Sequence, residues 1–224
     1  MKYPWILFDA DDTLFHFDAY AGLQRMFSRY TVDFDDQAYA QYQVLNKPLW
    51  VEYQDGRITA QQLQERRFAP WSERVGVPAQ RLNREFFDAM ADICTFLPGA
   101  GELISRLAPL VKLGLITNGF TQLQTVRLQR MGVFDVFDPV VISEQVGVAK
   151  PDVAIFEHAL ARMGSPPRDQ VLMVGDNLLT DIQGGLNAGI HTCWMNLRGD
   201  ESVDGVLPHH EVRSLAELQR WLMT

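Results

Sequence analysis

Short apolar runs recur along the chain at positions 5–8, 111–116, 140–142, 171–174 and 190–194. Largely continuous apolar runs of this length, rather than strict alternation, read as strands buried on both faces, the mark of a parallel sheet. Helical patterns lie between them. Val153, Phe156, Leu160 and Met163 share one helical face, and Gly164 follows as a stop. Ser214-Leu215-Ala216-Glu217 predicts a capping box that opens the last helix. This alternation predicts an α/β fold: a Rossmann-like parallel sheet core flanked by helices.

Residues 18–91 follow a different pattern. They contain no convincing strand run and are rich in Gln, Arg and aromatics. Tyr20, Leu23, Phe27 and Tyr30 repeat with helical spacing, and Leu82, Phe86 and Ala89 start a second stripe. The reading is a small bundle of helices inserted after the first strand, with Leu97-Pro98-Gly99 marking the return to the sheet. Residues 1–17 and 92–224 then form the α/β core and residues 18–91 a helical cap. No internal repeat or low-complexity tract interrupts this division.

Composition narrows the classes. The chain has 224 residues, of which 47% are hydrophobic and 21% charged, enough for a full core and unlike a disordered chain. A net charge of −8 without a basic stripe argues against a nucleic-acid partner. It leaves room for a small anionic substrate, because a bound cation and one placed lysine can reverse the field locally. Cys94 and Cys193 show no CxxC spacing, so neither a disulfide scaffold nor a zinc site is expected. Asp9, Asp11 and Asp12 follow the first apolar run at once, which is foreign to a signal peptide, and no stretch approaches membrane-spanning length. The expectation is a cytoplasmic protein without a membrane partner.

In open α/β sheets ligands bind beyond the carboxyl ends of the strands. The first strand delivers Asp9-Ala10-Asp11-Asp12-Thr13 there, the second Thr117-Asn118-Gly119 and the fourth Gly175-Asp176, with Asp181 five residues on; Lys150-Pro151 stands at a helix start. Each piece alone is more often a turn or a solvated surface group. Together, in this order, they supply carboxylates, a hydroxyl, a lysine and glycine turns, which is the equipment for handling a phosphoryl group with a hard metal ion.

Through these residues the chain resembles the haloacid dehalogenase-like hydrolase superfamily over essentially its whole length. Asp9 to Thr13 look like the first motif, Thr117 the second, Lys150 the third, and Gly175-Asp176 through Asp181 the fourth. Asp12 stands where many members carry glycine. An acid at Asp11 is the feature of the phosphatase branch rather than the dehalogenase branch. The resemblance implies a phosphate monoester hydrolase that works through an aspartyl-phosphate. Asp9 would be the nucleophile and Asp11 the general acid/base. Thr117 and the Asn118 amide would bind phosphoryl oxygens beside the Ala10 backbone, and Lys150 would stabilise charge on nucleophile and phosphate. Mg2+, with Mn2+ or another divalent cation able to replace it, would be held by Asp9, the Asp11 carbonyl and Asp176, with Asp181 positioning metal-bound water.

Within the cap, Asn46-Lys47-Pro48-Leu49-Trp50 and Tyr53 include groups able to stack a flat base and read its edge, although for any one of these aromatics packing of the cap core is the simpler reading. Residues 8–15, 46–50, 116–120 and 141–151 are similar to the bacterial house-cleaning pyrimidine 5′-nucleotidases. This implies a small phosphorylated metabolite as partner, a pyrimidine nucleoside monophosphate such as dUMP, UMP, dTMP or a noncanonical analogue, contacted by Asn46 and Trp50. A sugar-phosphate phosphatase or phosphomutase of the same superfamily is the alternative. A catalytically dead binding protein would have lost one of Asp9, Asp11, Lys150 or Asp176, and none is lost.

Overall fold

The computed structural model describes residues 1–224. Each apolar run forms a strand: β1 (Trp5–Phe8), β2 (Lys112–Thr117), β3 (Phe137–Ile142), β4 (Val171–Gly175) and β5 (His191–Met195). A short β6 (His210–Val212) completes a six-stranded sheet in the order β3-β2-β1-β4-β5-β6, parallel throughout. The expected Rossmann-like architecture is borne out. Two details escape the pattern. β6 is an edge strand with one buried side chain, Val212, so it carries almost no apolar signal. β3 begins three residues before its apolar run and includes Pro139, which an edge strand tolerates because one side of its backbone has no ladder to donate to.

The helices are α1 (Ala19–Phe27), α2 (Asp36–Gln54), α3 (Ala60–Arg66), α4 (Ala69–Val75), α5 (Ala79–Asp92), α6 (Ala100–Leu107), α7 (Thr121–Arg130), α8 (Ser143–Val146), α9 (Val153–Arg162), α10 (Gln183–Asn187) and α11 (Leu215–Met223). The chain divides into two compact units, residues 1–16, 95–119 and 131–224, and residues 17–94 with 120–130. Helix α7, which follows β2 in sequence, thus groups with the helical segment. An apolar stripe shows which face of a helix is buried but not which partner buries it.

In the α/β unit, Leu7, Ile116, Val141, Val171 and Met173 pack against Ile155, Phe156, Ala159 and Leu160 of α9. The alternate residues Ile6, Phe8, Leu172 and Val174 are equally buried, so the sheet is covered on both faces. Gly164 ends the α9 region at φ +81°, the left-handed stop expected of it. Ser214 caps α11 by accepting from the Glu217 amide at 3.1 Å, while the Glu217 carboxylate accepts from Arg213 N at 2.8 Å instead of closing the box on Ser214.

The helical unit is built on aromatic packing. Phe27, Phe34 and Trp71 meet with ring centroids 4.9–5.1 Å apart, and Gly22 of α1 leaves room for Met90 of α5. Asp18, Asp35 and Thr59 cap α1, α2 and α3 through their side chains. No helix of either unit is long and apolar enough to cross a membrane.

Gly184 of α10 is held against the α9 side chain Phe156, and a β-carbon there would lie 2.5 Å from the Phe156 ring and 3.1 Å from the Pro151 Cα. Gly184→Ala is therefore expected to destabilise the protein by about 1–3 kcal/mol. Denaturant unfolding measures this, and an unchanged midpoint would show that the contact relaxes freely.

Candidate active site

β1 lies between β2 and β4, so the residue following it has neighbours on both sides. Phe8 pairs with Leu115 and Val174, and the Asp9 amide donates to the Val174 carbonyl at 2.8 Å. Asp9 therefore emerges at the carboxyl edge beside the ends of both neighbours, where the strand order reverses. The chain then turns tightly: Leu14 N and Phe15 N both donate to the Ala10 carbonyl at 3.0 Å. Asp12 occupies this turn at φ +56°. Aspartate tolerates that left-handed conformation better than most side chains, which explains how it stands at a position suited to glycine. The turn brings the Asp11 charge close enough to disfavour ionisation of Asp9.

Lys150 reaches the same point from the start of the α9 segment. The residue is 1% exposed and all three of its ammonium donors are used: Asp9 Oδ1 at 2.6 Å, Asp181 Oδ1 at 2.6 Å and the Ile116 carbonyl at 2.8 Å. The backbone of residue 150 is clasped on both sides by Asn118, whose Oδ1 accepts from Lys150 N at 2.7 Å and whose Nδ2 donates to Lys150 O at 2.8 Å. Burial disfavours the ammonium, but Asp181 and Asp9 outweigh it and hold the lysine above its ordinary pKa.

Asp176 and Asp181 come from the segment after β4. Thr13 ties Asp176 to the turn after β1, its hydroxyl accepting from Asp176 N at 3.1 Å and donating to Asp176 Oδ1 at 3.3 Å. Trp194 Nε1 donates to the Asp176 carbonyl at 2.8 Å. Asp181 sits in a π-helical turn, Leu178–Ile182, and its Oδ2 accepts from Asn177 N at 3.0 Å. Gly175 is required beside it, since a β-carbon there would lie 2.2 Å from Asp181 Oδ2.

Asp9, Asp176 and Asp181 can place a carboxylate oxygen each within 4.8 Å of one another. Three carboxylates against one ammonium leave two negative charges in a buried space. Burial first, then the neighbouring carboxylates, push Asp9 up to about 7, against the opposing pull of Lys150, and Asp176 up to about 8. Asp181 has both oxygens engaged by protein donors, whereas Asp9 Oδ2 and Asp176 Oδ2 are taken by none. Oxygen donors with a net charge of minus two fit a hard divalent cation.

Of the other expected site residues, Thr117 lies buried at the end of β2, its hydroxyl accepting from Gly119 N at 3.0 Å. Asn46 and Trp50 lie on α2 in the helical unit, half-buried. Trp50 packs on Phe120 and Tyr53 with centroids at 5.3 and 5.9 Å. Thr13, Asn177 and Trp194 had no assigned role in the sequence reading. Thr13 and Asn177 adjoin the motif acids, a proximity that could have flagged them. Trp194 lies in β5, two strands removed from β1, and gives no local signal.

A family model for haloacid dehalogenase-like hydrolases matches residues 3–189. The chain belongs to this family. Among haloacid dehalogenase-like relatives, it is 53% identical over 222 residues to the pyrimidine 5′-nucleotidase YjjG of Escherichia coli K12, covering 99% of both chains. It is 35% identical to the pyrimidine 5′-nucleotidase PynA of Streptococcus pneumoniae, covering 97% of this chain and 94% of the relative. The crystal structure of the HAD-hydrolase YfnB of Bacillus subtilis, bound to magnesium, superimposes over 100% of both chains with a TM-score of 0.85 and 30% identity. Hydrolases of this family generally use Mg2+.

The donor set makes the cation measurable without turnover. Saturating MgCl2 is expected to raise the melting temperature of the EDTA-treated protein, by about 2.7 kcal/mol of stability at a hundredfold excess over Kd. Asp176→Asn should melt no lower than wild type in EDTA, because it relieves repulsion, and should lose the magnesium response. A full response in Asp176→Asn would remove that residue from the cation site.

Proposed function

We propose that the protein is a magnesium-dependent 5′-nucleotidase that hydrolyses pyrimidine nucleoside monophosphates, dUMP, UMP, dTMP and noncanonical analogues, through an aspartyl-phosphate on Asp9. The observation that carries the reading is the buried Asp9–Lys150–Asp181 triad beside Asp176, in a chain with close full-length likeness to two pyrimidine 5′-nucleotidases.

In the first half-reaction an Asp9 carboxylate oxygen attacks phosphorus in line with the ester oxygen. The P–O bond to the nucleoside breaks, and Asp11 delivers its proton to the departing 5′ oxygen. In the second, Asp11 takes a proton from water, which displaces Asp9 from phosphorus, releasing phosphate and restoring both acids. Lys150 holds Asp9 in place throughout and offsets charge on the nucleophile and phosphoryl oxygens. Thr117 and the Asn118 amide bind those oxygens. Bound magnesium, held by Asp9, the Asp11 carbonyl and Asp176, would supply the positive charge that lets an anionic ester approach an acidic site. Asp181 keeps Lys150 oriented and would help place water beside a bound cation. Asn46 and Trp50 contact the nucleoside.

Asp9→Asn is expected to abolish phosphate release, and Asp11→Asn to lower kcat about 10²–10⁴-fold. Near-normal kcat in purified Asp9→Asn would sink the covalent route. Substrate class is read from kcat/KM for dUMP, UMP, dTMP, AMP, GMP, dUTP and a set of sugar phosphates under one magnesium concentration. Pyrimidine monophosphates should lead. Equal use of purine monophosphates, or a preference for sugar phosphates, would remove the nucleotidase reading and leave the phosphatase.

A further inference from the structure

The turn that follows β5 is built around one buried residue, Asn196, which is 3% exposed. Its carbonyl accepts from Gly199 N at 3.4 Å and its Oδ1 accepts from Asp200 N at 2.8 Å. Its Nδ2 donates to the Asp200 carbonyl at 3.0 Å and to the Glu211 carboxylate of β6 at 2.8 Å. Gly199 takes φ +71°, which closes the turn. Arg198, enclosed by this clasp, presents its side chain outward, 73% exposed, and its Nη2 reaches Asp12 Oδ2 at 3.3 Å. An exposed pair of this kind adds little to stability. Its place gives it another use. β5 runs parallel to β4 and β4 to β1, so the turn after β5 stands at the same carboxyl edge of the sheet as Asp9.

Asp12 is joined to the cation site on two sides. Its own amide belongs to the peptide whose carbonyl is that of Asp11. The next residue, Thr13, holds Asp176 through its backbone N and its Oδ1. Groups linked through so few bonds interact across less than the screening length, about 8 Å at physiological salt. The Asp12 charge is accordingly among those that disfavour ionisation of Asp176. A carboxylate here strengthens the negative field that draws a divalent cation, and a guanidinium laid on it weakens that field. A glycine in this left-handed position would bring neither the charge nor the counter-charge.

We propose that Arg198 and Asp12 tune the cation site as an opposed pair: Asp12 raises its affinity for magnesium, and Arg198, held on Asp12 by the Asn196 turn, lowers it. This rests on the reading above in which Asp9, the Asp11 carbonyl and Asp176 hold the ion. Every group in the argument belongs to the α/β unit. Arg198 touches none of the groups assigned to phosphoryl transfer and acts on the site through its charge alone.

The test is the Kd for MgCl2, measured by titration calorimetry on EDTA-treated and dialysed protein without substrate, in low and in high salt. Thermal unfolding in EDTA checks that each variant is folded. Arg198→Gln should bind magnesium about two- to tenfold more tightly than wild type in low salt, the size expected of one charge acting on a divalent ion through solvent. Asp12→Asn, which keeps a side chain that accepts the left-handed turn, should bind it more weakly by a similar factor. Arg198→Lys keeps the charge and should stay near wild type. With Asp12→Asn already present, Arg198→Gln should change Kd by a smaller factor, because the anchor is gone. High salt should shrink all of these differences. An unchanged or weaker Kd in folded Arg198→Gln would overturn the tuning. So would equal tightening in Arg198→Lys, which would assign the effect to the turn instead of the charge. Asp176→Asn separates the two levels of the reading: full magnesium binding in that variant would overturn the cation site itself, and the tuning with it.

Discussion

The Lys150 ammonium, enclosed between Asp9, Asp181 and the Ile116 carbonyl, is the interaction on which the rest of the α/β unit turns. Three chain segments far apart in sequence meet at one atom. Each needs support to arrive there: Asn118 grips the backbone of residue 150, Gly175 makes room for the Asp181 carboxylate, and the parallel register of β1 with β2 and β4 sets the height of Asp9. A buried ion pair of this kind is weak evidence for stability in itself, yet removing one partner typically costs about 3–5 kcal/mol because the others stay buried and uncompensated. The arrangement is one of preorganised charge: the donor that steadies the Asp9 carboxylate is already in place before a substrate arrives.

The same enclosure creates an excess of negative charge. Asp9 is pushed up to about 7 and Asp176 to about 8, chiefly because burial penalises their charged forms. A nucleophilic carboxylate must be ionised, so under the proposed mechanism a divalent cation, rather than protons, would complete the buried set. Such a cation would also reconcile a protein of net charge −8 with an anionic substrate.

The helical unit holds one of its buried cations, Arg67, by opposite means. Arg67 has four aromatic rings and an amide oxygen around it where Lys150 has two carboxylates and a carbonyl. Carboxylates neutralise a lysine and leave it as a fixed point of charge. Rings and amides leave an arginine charged and planar, so that its donors can order the side chains around it.

Much of this was legible in the order of residues. Continuous apolar runs located five of the six strands, because a strand buried on both faces must be apolar along its length. β6 was missed for the converse reason: an edge strand with a single buried residue has nothing to announce it. Asp9, Asp11, Thr117, Lys150 and Asp176 were visible as a set because strand ends of a parallel sheet deliver side chains to one rim, and the strand–helix alternation says where those ends are. What the sequence could not carry is pairing. Nothing local tells that Lys150 lies equally close to Asp9 and Asp181, that Trp194 holds the Asp176 carbonyl, that α7 groups with the helical unit, or that Arg67 meets Asn83. Local propensity and periodicity act over one or two turns of chain. Those contacts join residues brought near only when the sheet order and the helix packing have closed, so the residues of the site belonged to the sequence and their partnerships to the tertiary structure.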